Sequence, residues 1–185
     1  MTVMLEREIK LRFADPADAR AAIVKAGATP IRGRRFQEDC LLDDASEQLR
    51  RRRCVLRIRI DQGKSLLTFK GPVQPSPMKL REEIETVVGD GDALRHLFEE
   101  LGFAVWFRYQ KYREEFAYGD VLIALDETPI GTFVEIEGGE QGITEMARAL
   151  GRSAADYIVD SYRTLFSRYR EEHELAATDM LFDEA

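Results

Sequence analysis

The chain has 185 residues, a size that favours one domain with a core of ordinary extent. Hydrophobic residues make up 44% and charged residues 33%, and 27 basic against 34 acidic side chains leave a net charge of −7, so the composition is that of a globular protein without the basic excess of a generic nucleic-acid surface. No apolar run approaches the roughly 20 residues needed to span a bilayer, and the N-terminal MTVMLERE lacks the basic-then-apolar order of a secretory signal.

Cys40 and Cys54 fit neither a CxxC nor a zinc spacing, so two reduced thiols in a cytoplasmic protein are expected. With only His96 and His173, site chemistry falls to carboxylates, lysines and arginines.

In chain order, residues 4–13 alternate as a strand. A helix follows, with Asp15 as N-cap, Pro16 at its first position and Gly27 as its stop. A second strand is expected over Arg34–Asp43, and DDASEQLRRRRC reads as a polar loop in which Arg50–Arg53 are solvated, a grip on a bound ligand being the alternative. VLRIRI (55–60) and SLLTFK (65–70) flank a turn at DQGK and form a hairpin. GPVQPSPMK is a proline-rich loop, and LREEIETVV (80–88) is again a strand. GDGDALRHLFEELG reads as a helix capped by Asp92, and a long β region runs from Phe103 to Tyr118. Strands over 121–126 and 131–138 come next, then helices over 140–150 and 154–170. His96 and Trp106 read as surface or packing residues. So does the helical series Tyr157, Ile158, Tyr162, Leu165, Phe166 and Tyr169. Residues 1–170 form one domain, and 171–185 an acidic tail prone to fray. The pattern is α+β, with about eight antiparallel strands, enough to close a small barrel.

Successive side chains on a strand point to opposite faces. That rule groups Glu6, Glu8 and Lys10 against Leu5, Ile9 and Leu11, with Arg7 interrupting the apolar set. It likewise groups Arg57 with Arg59, Thr68 with Lys70, and Arg81 with Glu83 and Glu85. Lys111, Arg113 and Glu115 share a face, as do Glu135 and Glu137, and Asp126 falls with Leu122 and Ala124. An open sheet or sandwich with a solvated face accounts for any one of these strands. Across seven segments, however, arginine and glutamate recur at i, i+2, and three helices with apolar stripes need a surface to cover. If they cover the apolar face, the charged face curls inward. A buried ring of mixed charge is costly unless it is paired or binds something. Guanidinium groups fork onto phosphate oxygens, and converging carboxylates hold hard divalent cations. A polyanion bound with metal, most simply a triphosphate, suits both. No Walker loop or GxGxxG is present, so side chains would grip it.

Glu6-x-Glu8-x-Lys10 resembles the ExExK signature of the CYTH superfamily, the triphosphate tunnel metalloenzymes. LRIR (56–59), LTFKG (67–71), REEIE (81–85), YQKYRE (109–114), LDETPIGTFVEIEG (125–138) and DYIVDSYRTLF (156–166) resemble family blocks in the family's order, so the likeness spans roughly residues 4–168. The resemblance implies an eight-stranded antiparallel β-barrel, the triphosphate tunnel, with helices packed outside. It implies Mg²⁺ or Mn²⁺ held by Glu6, Glu8, Glu83, Glu135 and Glu137. Lys10, Arg57, Arg59, Lys70, Arg81, Lys111, Arg113 and Arg163 would bind substrate. Glu6, Glu8, Lys10, Glu85 and Asp126 would be catalytic, and the helix bearing Tyr162 and Arg163 would plug one tunnel end. One departure stands out: Leu41, in QEDCLLDD (37–44), occupies a place where relatives often carry tyrosine.

The implied activity is metal-dependent hydrolysis of tripolyphosphate, thiamine triphosphate or another organic triphosphate. The first alternative is a CyaB-type adenylate cyclase that converts ATP to cyclic AMP and pyrophosphate. A non-catalytic polyphosphate or nucleotide binder is the second. No nucleic-acid or membrane partner is expected, and a homodimer is compatible with the sequence.

Overall fold

The computed structural model describes residues 4–183; the first three residues of the N-terminal stretch and the last two of the acidic tail lie outside them. Eight strands form a closed antiparallel barrel in the order β1-β5-β4-β3-β2-β6-β7-β8. They are β1 Met4–Phe13, β2 Thr29–Asp44, β3 Val55–Asp61, β4 Lys64–Lys70, β5 Lys79–Val88, β6 Phe103–Tyr118, β7 Val121–Thr128 and β8 Gly131–Glu137. The helices are α1 Pro16–Lys25, α2 Gln48–Arg51, α3 Gly91–Glu100, α4 Glu140–Ala149 and α5 Tyr162–Glu172. β1 closes the wall, pairing with β5 on one side (Glu6 opposite Arg81) and β8 on the other (Lys10 opposite Glu135).

The main apolar core lies outside the barrel. Ala19 and Ile23 of α1 and Ile143, Met146 and Ala147 of α4 are buried against Ile9, Leu11, Ile123, Leu125, Val134 and Ile136. This removes the apolar wall face from water and leaves the opposite, charged face pointing inward. A second cluster packs α5 against the barrel: Tyr162 and Phe166 lie with Leu41, Phe107, Tyr109, Phe133 and Met180.

Several sequence expectations are corrected. β2 begins at Thr29, earlier than expected, and accommodates register shifts between Pro30 and Arg35. Residues 48–51 form the short α2 rather than loop, anchored by Asp43, whose carboxylate accepts from the Leu49 and Arg50 amides at 2.9 and 3.0 Å. Asp90 caps α3 in place of Asp92, accepting from the Ala93 amide at 2.9 Å. The helix expected over 154–170 is a 3₁₀ turn at Ala154–Asp156, an extended stretch and then α5. Ile158 is drawn into a reciprocal bridge with Lys10, both N–H···O distances being 2.9 Å, and Ser161 caps the helix that follows. The acidic tail does not fray throughout: Met180 is fully buried, and its backbone pairs with Arg108 and Gln110 of β6. Leu5, expected with Ile9 and Leu11 under helices or neighbouring chain, is 63% exposed.

Candidate active site: a charged tunnel

A cavity of about 820 Å³ runs through the barrel. Its wall carries Glu6, Glu8, Lys10, Arg57, Arg59, Lys70, Arg81, Glu83, Glu85, Lys111, Arg113, Glu135 and Glu137, and Arg163 stands at one mouth. Of the candidate metal-holding, substrate-binding and catalytic residues, only Asp126 does not reach the cavity. It is wholly buried behind the lining, where its carboxylate accepts from Lys111 at 2.9 Å, from Arg113 through two bonds of 2.6 Å and from the Tyr162 hydroxyl at 2.7 Å. That geometry orients the two cations rather than leaving a free carboxylate.

The remaining pairs form a continuous network. Glu6 accepts from Lys70 at 2.5 Å and Arg81 at 3.1 Å; Glu8 accepts from Lys79 at 2.5 Å and Lys10 at 3.1 Å. Lys10 also reaches Glu135 at 3.1 Å, and Glu135 pairs with Arg113. Asp39 holds Arg59 at 2.8 Å and Arg57 at 3.4 Å, and Thr68 donates to Glu85 at 2.8 Å. Burial and repulsion from Glu8 oppose ionisation of Glu6, but Lys70 and Arg81 outweigh them and hold its carboxyl below the usual range. Glu8 and Glu135 are held well below it: burial is overcome by Lys10 and Lys79 at the former, and by Lys10 and Arg113 at the latter.

One corner is not neutralised in this way. Glu137 has no ion-pair partner among the described residues, and burial, then Glu6 and Glu8, push its carboxyl up to about 7. Burial also raises Glu83, with Glu6 adding to it despite Lys70. An oxygen-only corner of mutually repelling acids is the donor chemistry that Mg²⁺ and Mn²⁺ prefer, so the residues present fit such a cation. Among the described residues, no cluster of three or more histidine, cysteine or acidic side chains is gathered in a metal-holding arrangement.

Sequence reasoning left Arg35, Gln37, Asp39, Asp61 and Lys79 unassigned, and all five are buried. Lys79 precedes the expected start of its strand by one residue, and Asp61 follows the expected end of its strand by one; continuing either alternation recovers it. Tyr162, read as packing, lines the cavity; burial and Asp126 raise its phenol, which therefore remains a donor. Leu41 lines the cavity too, in one cluster with Tyr109 and Tyr162.

Against known proteins, the CYTH domain model matches residues 4–162. The chain is a member of the CYTH family. A Methanocaldococcus jannaschii protein named as a putative adenylate cyclase is 32% identical over 148 residues, covering 80% of this CYTH chain and 84% of its own. Among solved structures, the PH1819 protein of Pyrococcus horikoshii is 27% identical, with a TM-score of 0.75 over 89% of this chain and 99% of its own. A Vibrio parahaemolyticus protein, also described as a putative adenylate cyclase, superposes with a TM-score of 0.78 at 21% identity over 90% of this chain and 99% of its own. A Hippeastrum protein described as a putative adenylyl cyclase with a dominant triphosphatase activity shares the fold at a TM-score of 0.63 and 16% identity, covering 92% and 96%. No described helix is long and apolar enough to cross a membrane.

Proposed function

We propose that the tunnel binds a linear triphosphate together with a divalent cation and hydrolyses it to a diphosphate and orthophosphate. The observation that carries this reading is the buried lining itself. Arginine and lysine side chains converge on one cavity beside an acidic corner whose charge exceeds its counter-ions.

Arg57, Arg59, Lys70, Arg81, Lys111 and Arg113 bind the phosphate oxygens, with Lys10 on the same wall. Fixed in place by Asp39, Asp126 and the glutamates, they meet charge as it develops without reorganising. As the water oxygen bonds to the terminal phosphorus, the bridging P–O bond breaks and its electron pair leaves on the diphosphate. Glu85, oriented by Thr68 and Arg57, accepts the proton that the water loses. When bound, Mg²⁺ or Mn²⁺, held among Glu6, Glu8, Glu83, Glu135 and Glu137, supplies Lewis-acid neutralisation of phosphate oxygens.

The name of the archaeal relative favours a second reading, cyclisation of ATP, in which the ribose 3′-hydroxyl replaces water and pyrophosphate leaves. Tripolyphosphate, thiamine triphosphate and ATP are each supplied with Mg²⁺ or Mn²⁺ while orthophosphate, pyrophosphate and cyclic AMP are followed. Orthophosphate release is expected. Cyclic AMP with pyrophosphate as the main products of ATP would replace hydrolysis by cyclisation, and binding without turnover would leave a triphosphate-binding protein.

A further inference from the structure

Beside α5 the cavity extends past Ser161 to a mouth lined by Arg50, Arg53, Trp106 and Arg163. The Arg163 guanidinium carbon stands 5.3 Å from the Phe107 ring centroid and 5.7 Å from that of Trp106. Arg50 approaches the same Trp106 ring to 4.5 Å. A guanidinium over an aromatic face is held by the ring quadrupole, while its N–H donors lie in its own plane and point away at the edges.

The two arginines differ in what those edges meet. Arg50 donates to Asp43 at 3.2 Å and pairs with Glu47 at 3.1 Å. Arg163 has neither a hydrogen-bond acceptor nor a carboxylate partner among the described residues. Burial, then Arg170 and Arg50, lower its pKa, so like charge around it is not relieved by any acid. The exposed Arg53 side chain lines the same cavity, three residues on from Arg50, and likewise has no acceptor among the described residues. The N-terminus of α5, capped by Ser161, adds the partial positive charge of its free amides. Asp160 also lines the cavity beside Ser161, but its carboxylate accepts from Arg168 at 2.6 Å, so the acids near this mouth already hold arginines while Arg163 and Arg53 hold none. The Trp106 ring is occupied by guanidinium groups, which makes this mouth a better seat for an anion than for a stacked base.

We propose that Arg53 and Arg163 form an anion site at this mouth that takes a phosphate beyond the third of a linear chain, so that the favoured ligand is a polyphosphate of four or more phosphates. This rests on the reading of the tunnel as a triphosphate site and extends it outward along the chain.

Trp106 is the only tryptophan, so its emission reports on this mouth directly. Stopped-flow mixing with linear tripolyphosphate, tetrapolyphosphate or ATP in Mg²⁺ gives affinity and emission change before turnover. Tetrapolyphosphate is expected to bind at least about tenfold more tightly than tripolyphosphate, a difference of about 1.4 kcal/mol, and to give the larger emission change. Arg163→Ala and Arg53→Ala, checked for folding by circular dichroism, should each remove most of that chain-length advantage. Equal affinity for the two chains would overturn the proposal. So would equal weakening of both chains by both variants, or ATP giving the tightest binding with the largest emission change. Orthophosphate release from tripolyphosphate is measured separately. Chain-length-dependent binding without hydrolysis removes only the hydrolase reading; hydrolysis without a chain-length preference removes only this one.

Discussion

The Tyr162 hydroxyl donates to Asp126 Oδ2 at 2.7 Å and so ties the first residue of α5 to a carboxylate buried in β7. The same carboxylate holds Lys111 and Arg113, so α5 and two cations of the tunnel wall share one anchor. Tyr162→Phe leaves Asp126 with both cations and should cost about 1 kcal/mol of stability, near the net worth of one hydrogen bond. Asp126→Asn removes the charge that two buried cations share and should cost about 3 kcal/mol or more. Urea unfolding of both variants checks the order; equal losses would show that the charge is not the anchor.

Glu137 gives the pH dependence its sign. Its pKa in the folded protein, pushed up to about 7 chiefly by burial, lies above the ordinary carboxylate value, so the fold prefers the protonated form. The stability this contributes is intact below the ordinary carboxylate range and is lost as pH rises through 7. In chelator, the unfolding midpoint should therefore fall between about pH 5 and 8, and Glu137→Gln should flatten that fall. Lys111, pushed down to about 8 by burial and Arg113, acts at higher pH with the other slope. Its penalty is present below pH 8 and is relieved between there and the ordinary lysine range. A midpoint unchanged by Glu137→Gln across the acidic window would remove this account.

Divalent cations should oppose the same repulsion. Addition of Mg²⁺ or Mn²⁺ at pH 8 is expected to raise the melting temperature, since a ligand that binds only the folded state stabilises it. Glu6→Gln and Glu135→Gln should reduce that increment and lower metal-dependent turnover by about a hundredfold or more, near 3 kcal/mol of transition-state stabilisation, while circular dichroism stays native. Near-native rates in both variants would take these glutamates out of the site.

Stability and binding should be separable across the wall. Ile143 of α4 is wholly buried in the outer core. Ile143→Ala should destabilise by about 2–5 kcal/mol through lost apolar contact and a residual cavity. Tripolyphosphate affinity at a temperature where the variant remains folded should change little. A parallel loss of affinity would mean that the outer layer sets the inner geometry more tightly than its packing implies.

How far the site could be read from residue types varies strand by strand. β1 is legible throughout: its bounds and inner face, Glu6, Glu8 and Lys10, follow from alternation alone. What alternation cannot say is which face is inside. That depends on α1 and α4 covering Ile9 and Leu11, a long-range fact. β2 is harder, because Leu41 on its inner face and Leu42 on its outer face are both buried, which masks Asp39. The C-terminal helix misled for a different reason. Tyr157, Ile158, Tyr162 and Phe166 keep helical spacing, yet the Ile158 backbone is claimed by Lys10, far away in the chain. Local periodicity carries no information about such a partner.

The double pairing of β1 has a consequence for how the chain matures. β1 is synthesised before both of its neighbours, β5 and β8, which begin at Lys79 and Gly131. Glu8 and Lys10 therefore cannot be enclosed until β8 has left the ribosome, and closing the ring demands contacts between distant parts of the sequence, which fold slowly. Register matters at that step, since a one-residue slip would place Ile9 and Leu11 in the tunnel and the charged residues against α1 and α4. Lys10 opposite Glu135 and Glu6 opposite Arg81 act as a check on alignment: each pair meets as charged partners only when its own seam closes in frame.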